Sequence, residues 1–369
     1  MKTMALLLAV STFSPNIPRT WKASDVSALE VPLANPMYSP IHISEEVYYR
    51  LPVRVIYKSY PVYRPDREPS GYTEWLRRQE PEIAFDGSKL KTREDWINAG
   101  ELVQRTNLIC PRILQRGRWH DRQFYDRLGM PVGSNGMIPF ARWVIRRKGQ
   151  VELGSMGCNT CHTRVMADGS IAPGAQGNNP NDREGASMFR RAAQFGDPAK
   201  GLARIRGFAR QFEMPWVTDD PNRQARTMSL DDLIAAGEAI PPGVTARSNT
   251  SIFLPPQIPD LIGIEQRRYL DHTGLVRHRG VGDLMRYCSL VQDISALDRY
   301  GDFQPQGSEA GHGERYSDEH CMPWPFISTH FSRRRTRTGS TPTPRLERES
   351  SSAKVVLRAT RRLSIPTIG

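Results

Sequence analysis

The sequence predicts a mainly α fold made of short helices and long loops. Two helix starts are signalled by capping residues, at Thr92 and at Ser229, each followed by an aspartate three positions later. The chain is 38% apolar and contains 29 glycines and 29 prolines in 369 residues, so we expect less packed core than two full domains would need. The third observation is a cysteine and histidine motif at residues 158–162, which lies among glycines and predicts a loop-rich cofactor site.

The order of elements follows from apolar spacing and turn residues. Residues 31–67 are rich in proline, tyrosine and β-branched side chains, which predicts extended, loop-rich chain. Apolar residues at helical spacing then predict a series of helices. These lie at Gly71–Leu76, Thr92–Leu102, Phe140–Arg147, Ser187–Phe195, Leu202–Phe212 and Ser229–Ile240.

Residues 158–162 read Cys-Asn-Thr-Cys-His, which is the attachment motif of a c-type haem. Two intervening residues allow the sulfurs of Cys158 and Cys161 to reach both vinyl groups of one porphyrin as thioethers. The adjacent His162 then falls beneath the iron and is the expected proximal ligand. The sequence therefore predicts a cytochrome c-like domain around one covalently bound haem c.

Two other chemistries use closely spaced cysteines. A zinc knuckle needs a second pair of ligands, whereas Cys110, Cys288 and Cys321 stand alone in the sequence. A thioredoxin-like redox pair should follow a buried strand and begin a helix. The glycines at 154, 157 and 169 favour a loop-rich haem crevice instead.

A single haem predicts one-electron transfer to or from a redox partner protein that the sequence does not identify. Thioether attachment takes place outside the bacterial cytoplasm, so we expect a periplasmic or otherwise exported protein. Residues 1–20 contain Lys2 and a short apolar run, which is typical of a weak signal or anchor segment. No segment approaches the roughly 20 apolar residues of a transmembrane helix, so we expect no membrane span.

The net charge of +12 is concentrated at one end of the chain. The 39 residues from Phe331 to Gly369 carry ten basic and two acidic side chains, a net +8, which leaves +4 for the other 330 residues. No aromatic interleaving or nucleic-acid-binding motif accompanies these basic residues. We therefore expect no nucleic-acid partner.

Three runs of sequence extend the haem interpretation. They are Ile258–Ile264, Arg268–Gly274 and Gly282–Tyr287. Together with the motif at 158–162, they resemble the bacterial di-haem cytochrome c peroxidase and methylamine-utilisation type proteins over roughly residues 90–300. The resemblance implies that the first of these runs packs beside the haem, and that the last lies on a helix carrying a methionine ligand. The spacing between Tyr269 and His272 departs from the family pattern by one residue.

Two methionines compete for the sixth coordination position of the iron. Met285 lies on the helix that the resemblance places beside the haem, about one turn before the expected ligand. Met214, followed by Pro215, precedes the helix at 229–240, as in single-haem cytochromes c. A thioether ligand raises the reduction potential and favours electron transfer. His272 and His278 are weaker candidates, and the resemblance implies a role for His272 at the haem edge.

After His320 the sequence loses helical periodicity and becomes rich in arginine, serine, threonine and proline. One interpretation is a disordered basic tail. Another is a frameshift near His320, because codons read one nucleotide out of phase can encode a second Cys-x-x-Cys-His motif within residues 355–368. We hypothesise that a second haem domain was lost in this way.

The organisation expected from these observations has four parts: a weak signal or anchor segment at 1–20, a loop-rich extension at 21–90, a haem domain at 91–300, and a linker with a basic tail at 301–369. Electron transfer is the expected function. A di-haem peroxidase-like oxidoreductase and an inactive truncated fragment are the alternatives. Whether the protein is an enzyme stays open at this point.

Overall fold

The computed structural model describes residues 13–323 except for 106, 110–117, 196, 211–212, 215–216, 247–252, 254, 272, 293 and 306–312. Of the described residues about 41% are helical and 16% lie in strands, and the strands form three small antiparallel sheets. The prediction of a mainly α, cytochrome c-like fold is therefore wrong. Four parts of the sequence predictions lie outside the described residues: residues 1–12 of the signal segment predicted at 1–20, Cys110, His272, and residues 324–369 of the tail predicted at 301–369.

The helices of the described part are distributed along its whole length. They are α1 (Ala23–Ser27), α2 (Glu45–Arg50), α3 (Tyr72–Arg77), α4 (Arg93–Gln104), α5 (Arg122–Leu128), α6 (Cys158–Cys161), α7 (Asn181–Phe195), α8 (Pro198–Arg210), α9 (Leu230–Ala239), α10 (Val281–Val291) and α11 (Asp318–Cys321). The strands are β1 (Pro40–Ile41), β2 (Ser59–Tyr63), β3 (Asn107–Ile109), β4 (Met137–Arg147), β5 (Gln150–Gly157), β6 (Thr163–Val165), β7 (Ile171–Pro173) and β8 (Arg299–Tyr300).

A four-stranded antiparallel sheet in the order β2-β4-β5-β3 replaces the helix predicted at Phe140–Arg147. The segment is rich in aromatic and β-branched side chains, which pack well on a pleated surface. β4 pairs with β5 across a two-residue loop, in which Gly149 has a φ of +77°. The conformation of residues 140–147 is decided by pairing with β5. The spacing of apolar residues along the sequence does not reveal this pairing. The other two sheets pair β1 with β8 and β6 with β7.

The two helix starts predicted from capping residues are confirmed. The Thr92 hydroxyl accepts from the Asp95 N–H at 3.1 Å, and the Asp95 carboxylate accepts from the Thr92 N–H at 2.7 Å, which completes a capping box at the start of α4. At α9 the Ser229 hydroxyl accepts from the Asp232 N–H at 3.1 Å. These signals are local, so a single sequence is sufficient to identify them.

The core of the described part joins residues that are distant in sequence. Cys158 packs in one cluster with Trp21 and Tyr48 from the N-terminal region and with Leu284 and Cys288 of α10. A second cluster fills the space between the four-stranded sheet and α5, and a third surrounds Met285, Tyr316 and Cys321. The residues that precede α4 thus contribute directly to the core around the motif.

Candidate haem-binding site

The Cys-x-x-Cys turn directly follows strand β5. β5 ends at Gly157, and both cysteines lie on the one-turn helix α6. The Thr160 hydroxyl accepts from the Gly157 N–H at 3.2 Å and lies within 3.3 Å of one carbonyl oxygen of β4 and one of β5. The Asn159 side-chain amide donates to another carbonyl of β4. The two residues between the cysteines therefore fasten the turn to the sheet.

The ring of His162 is oriented by a backbone carbonyl. Its Nδ1 lies 2.9 Å from the carbonyl oxygen of Pro259. A carbonyl oxygen can only accept, so Nδ1 carries the proton and the lone pair of the neutral imidazole is on Nε2. Metal-ligating histidines almost always donate their other ring N–H to such an acceptor. His162 thus has the tautomer that an axial ligand needs.

Two chain segments enclose the motif through backbone hydrogen bonds. The Gly174 N–H donates to the His162 carbonyl and the Leu261 N–H donates to the Gly174 carbonyl, both at 2.7 Å. The Gly177 N–H donates to the Cys161 carbonyl at 2.8 Å. A Cβ at residue 177 would lie 2.2 Å from that carbonyl oxygen, so only glycine fits there. The loop after β7 and the segment at 259–261 together hold the motif in place.

Cys158, Cys161 and His162 line one cavity of about 540 Å³, a volume within the usual range of cofactor sites. Its walls are mainly apolar and come from four helices and the segment at 256–270. The wall side chains include Met188 and Phe189 of α7, Ile205 of α8, Leu233 and Ile240 of α9, Leu284 and Tyr287 of α10, and Ile258, Leu261 and Ile264 of the connecting segment.

The sequence argument against a thioredoxin-like pair used the wrong local structure. Cys158 does follow a strand and does begin a helix. Burial raises the pKa of the Cys158 thiol to about 12, which disfavours its thiolate. Thiol–disulfide exchange needs a lowered pKa and an accessible thiolate. Cys158 is buried, and both cysteines of the motif are thiols in this structure.

Gly237 of α9 allows α7 and α9 to pack closely where the two helices form part of the cavity wall. A Cβ at Gly237 would lie 3.1 Å from the Ala186 Cβ and 3.4 Å from the Asp182 carbonyl oxygen, so this position has room for little more than glycine. Gly185 of α7 also lines the cavity, and a Cβ there would meet nothing within 4 Å. The surface of α7 is therefore open to the cavity at residue 185.

One carboxyl group of the cavity is affected by burial. Asp182 lines the cavity, and desolvation raises its pKa to about 6 even though Thr245 and the backbone of Ala246 hydrogen-bond to it. Its Oδ2 is buried with no hydrogen-bond partner in the described part of the structure. Asp182 is therefore a titrating group close to the proposed cofactor position.

The structure brings neither methionine proposed from the sequence to the cavity. Met285 is fully buried and packs with Ile56, Trp96 and Val103, whereas its neighbour Leu284 faces the cavity. Met214 is half-buried, and its N–H donates to the Asp220 carboxylate at 3.0 Å. Neither side chain is part of the cavity wall.

The two histidines considered as weaker candidates are also accounted for. His278 lies outside the cavity wall, and its Nδ1 is 2.8 Å from the carbonyl oxygen of Arg267. His272 lies outside the described residues. Among the described residues of the wall, His162 is the only histidine.

Sequence reasoning missed several residues of this site. Pro259 lies within the run at 258–264 that the resemblance places beside a haem, but its hydrogen bond to His162 was not foreseen. Gly185 and Met188 carried no recognisable signal, because their role depends on neighbours that are distant in sequence.

The described residues contain no group of three or more His, Cys, Asp or Glu side chains that could hold a metal ion. In the same part of the chain no helix combines the length and apolar character needed to cross a bilayer.

Comparison of the chain with protein families, with curated proteins and with solved structures gave no match. The resemblance to di-haem cytochromes therefore rests on the motif at 158–162 and the runs between 258 and 287 alone. The site must be interpreted from its own geometry.

Proposed function

We propose that the chain binds one c-type haem through Cys158 and Cys161, with His162 as an axial ligand, and transfers single electrons. The hydrogen bond from His162 Nδ1 to the Pro259 carbonyl is the main support, because a proton on Nδ1 places the lone pair of the ring on Nε2, the atom that would bind iron. Both thiols line the same mainly apolar cavity as this ring. Two thiols, a histidine and a mainly apolar cavity thus lie together, which is the combination that covalent attachment of haem c uses.

Each residue of the site has a distinct part in this proposal. The Cys158 and Cys161 thiols would hold the haem by adding across its two vinyl groups, each sulfur forming a C–S bond while its hydrogen goes to the other vinyl carbon. Pro259 holds the His162 ring in one tautomer, and the apolar walls exclude water from the site. The bound haem supplies a reversible one-electron change at iron.

The same proposal implies a location and a partner. Covalent attachment of haem c in bacteria takes place after export, so we place the protein in the periplasm or another exported compartment. Its partner is a redox protein of unknown identity. We also propose descent from the di-haem peroxidase-like family, and the single intact motif favours electron transfer over peroxide chemistry.

Covalent haem is the direct test. The full chain, expressed with a bacterial export leader and the haem-attachment machinery, should retain a haem stain on a denaturing gel. A pyridine haemochrome spectrum should give one haem per chain. Replacement of both Cys158 and Cys161 by serine should abolish the stain, whereas Cys321→Ala outside the cavity should not. An exported, folded wild-type chain without covalent haem would refute the proposal.

The cavity itself can be blocked without touching the motif. Gly185→Leu places a side chain in open space on the cavity face of α7, so it should fold yet reduce haem attachment at least tenfold. Gly207→Leu is the matched control, because Gly207 is an exposed glycine of α8 with nothing within 4 Å of an added Cβ. Equal haem content in both variants would show that haem does not occupy this cavity.

A further inference from the structure

We infer that Met188 of α7 provides the second axial ligand to the haem iron. This inference rests on the proposed function and goes beyond it by naming the ligand. Among the described residues of the cavity wall, Met188 is the only methionine. The methionines that the sequence favoured, Met285 and Met214, lie elsewhere.

The helix that carries Met188 is held firmly against α9. The Arg190 guanidinium forms two hydrogen bonds to the Glu238 carboxylate, at 3.1 and 3.0 Å. On the other side of Met188, Arg183 Nε donates to the Ile240 carbonyl at 3.1 Å. Close packing at Gly237 fixes the same pair of helices. The position of the Met188 backbone is therefore well determined, and its flexible side chain can adjust to a bound cofactor.

The surface of α7 next to Met188 has room for a flat group. Gly185 lies one turn earlier on the same cavity face, and an added Cβ there would meet nothing within 4 Å. A porphyrin edge can approach the helix at this glycine while the methionine reaches towards the iron. A larger residue at 185 would fill this space.

Two other potential donors in the wall, Cys288 and Tyr316, are less suitable. Burial raises the pKa of the Cys288 thiol well above its usual value, which disfavours the thiolate that would bind iron. Burial also raises the pKa of the Tyr316 phenol, whose oxygen accepts from Arg54 Nη1 at 3.3 Å. Methionine binds iron through a neutral thioether and needs no deprotonation.

The test uses the haem-loaded full chain and reads the ligand spectroscopically. The oxidised wild-type protein should show the thioether-to-iron charge-transfer band at the red end of the visible spectrum. Met188→Ala should lose this band and become high-spin, while Met188→His should stay low-spin without it. Met214→Ala and Met285→Leu are the controls and should keep the band.

A second measurement does not depend on the variants folding. In the reduced wild-type protein with isotopically labelled methionine methyl groups, one methyl resonance should be shifted strongly upfield by the haem ring. Wild-type protein with covalent haem but without the band or this resonance would overturn the Met188 assignment alone. Retention of the band in folded Met188→Ala would do the same. Failure to attach haem at all would overturn the proposed function and this inference together.

Discussion

The two sides of the cavity are built by different kinds of interaction. The motif side is held by backbone hydrogen bonds, among them those of Gly174, Gly177 and Leu261. The helical side, formed by α7, α8 and α9, is held by side-chain packing and by ion pairs such as Arg190–Glu238. Backbone contacts at van der Waals distance leave no room for change, whereas packed helices tolerate substitution. We therefore expect the two sides to respond very differently to mutation.

A matched pair of glycine substitutions should give the largest contrast. Gly177→Ala forces a Cβ to within 2.2 Å of the Cys161 carbonyl oxygen, so it should lower the free energy of unfolding by roughly 3 kcal/mol or more. Gly185→Ala enters open space in a helix and should raise the same quantity by about 0.5–1 kcal/mol. Urea unfolding of both variants measures the difference. Similar changes in unfolding free energy for the two variants would show that the motif side and the helical side of the cavity do not differ in their tolerance of substitution.

Met285 of α10 and Met188 of α7 sharpen the comparison. Met285→Ala removes a fully buried side chain and should cost about 2–5 kcal/mol of unfolding free energy. Met188→Ala in the protein without haem should cost less than about 1 kcal/mol, because this side chain is half-buried and faces the cavity. Thermal unfolding of the haem-free proteins measures both costs. A larger loss for Met188 would mean that it is a core residue.

Asp182 makes the stability of the helical side depend on pH. Its pKa is raised to about 6, so the folded chain keeps a proton that the unfolded chain releases near pH 4. Folding stability should therefore fall as pH rises from about 4 to about 6 and stay lower above that range. Asp182→Asn should remove this dependence and stabilise the protein at pH 7 by roughly 1–3 kcal/mol. Urea unfolding across pH 4–8 is the measurement, and parallel curves for both proteins would contradict the prediction.

The smallest effect is expected from the ion pair on the outside of the same helices. Arg190 and Glu238 are both exposed, at 46% and 42% of their side-chain surface. Arg190→Ala should lower the free energy of unfolding by about 0.2–1 kcal/mol, and high salt should reduce the difference. Unfolding at low and high ionic strength tests this. A loss above about 2 kcal/mol would show that the pair does more than join α7 to α9.

The sequence predicted those features that depend on neighbours along the chain. The capping box at Thr92 and the cap at Ser229 involve residues three positions apart, and both are confirmed. The haem interpretation of the motif at 158–162 also depends on local spacing and stays a prediction. The β-structure was missed because the apolar residues of 140–147 fit a helical pattern as well as a strand, and only their pairing with β5 decides between them.

The cavity walls depend on contacts that no local pattern contains. Met188 and Gly185 face the motif only because α7 packs on α9, and Met285 turns away because α10 presents Leu284 and Tyr287 instead. A single sequence does not specify which face of a helix meets a cofactor cavity. The two methionines favoured by sequence order therefore lie away from the cavity, and Met188 lines it instead.

The hydrogen bond between His162 and Pro259 has a consequence for natural variation. Its acceptor is a main-chain oxygen, which every amino acid carries, so no substitution at position 259 deletes it. The tautomer of His162 is thus set by the backbone conformation around residue 259 and not by the side chain at that position. A substitution at residue 259 can only displace the loop, which would change the length or angle of the hydrogen bond from His162 Nδ1 in small steps. The basicity of the ring is therefore open to gradual adjustment and protected from abrupt loss.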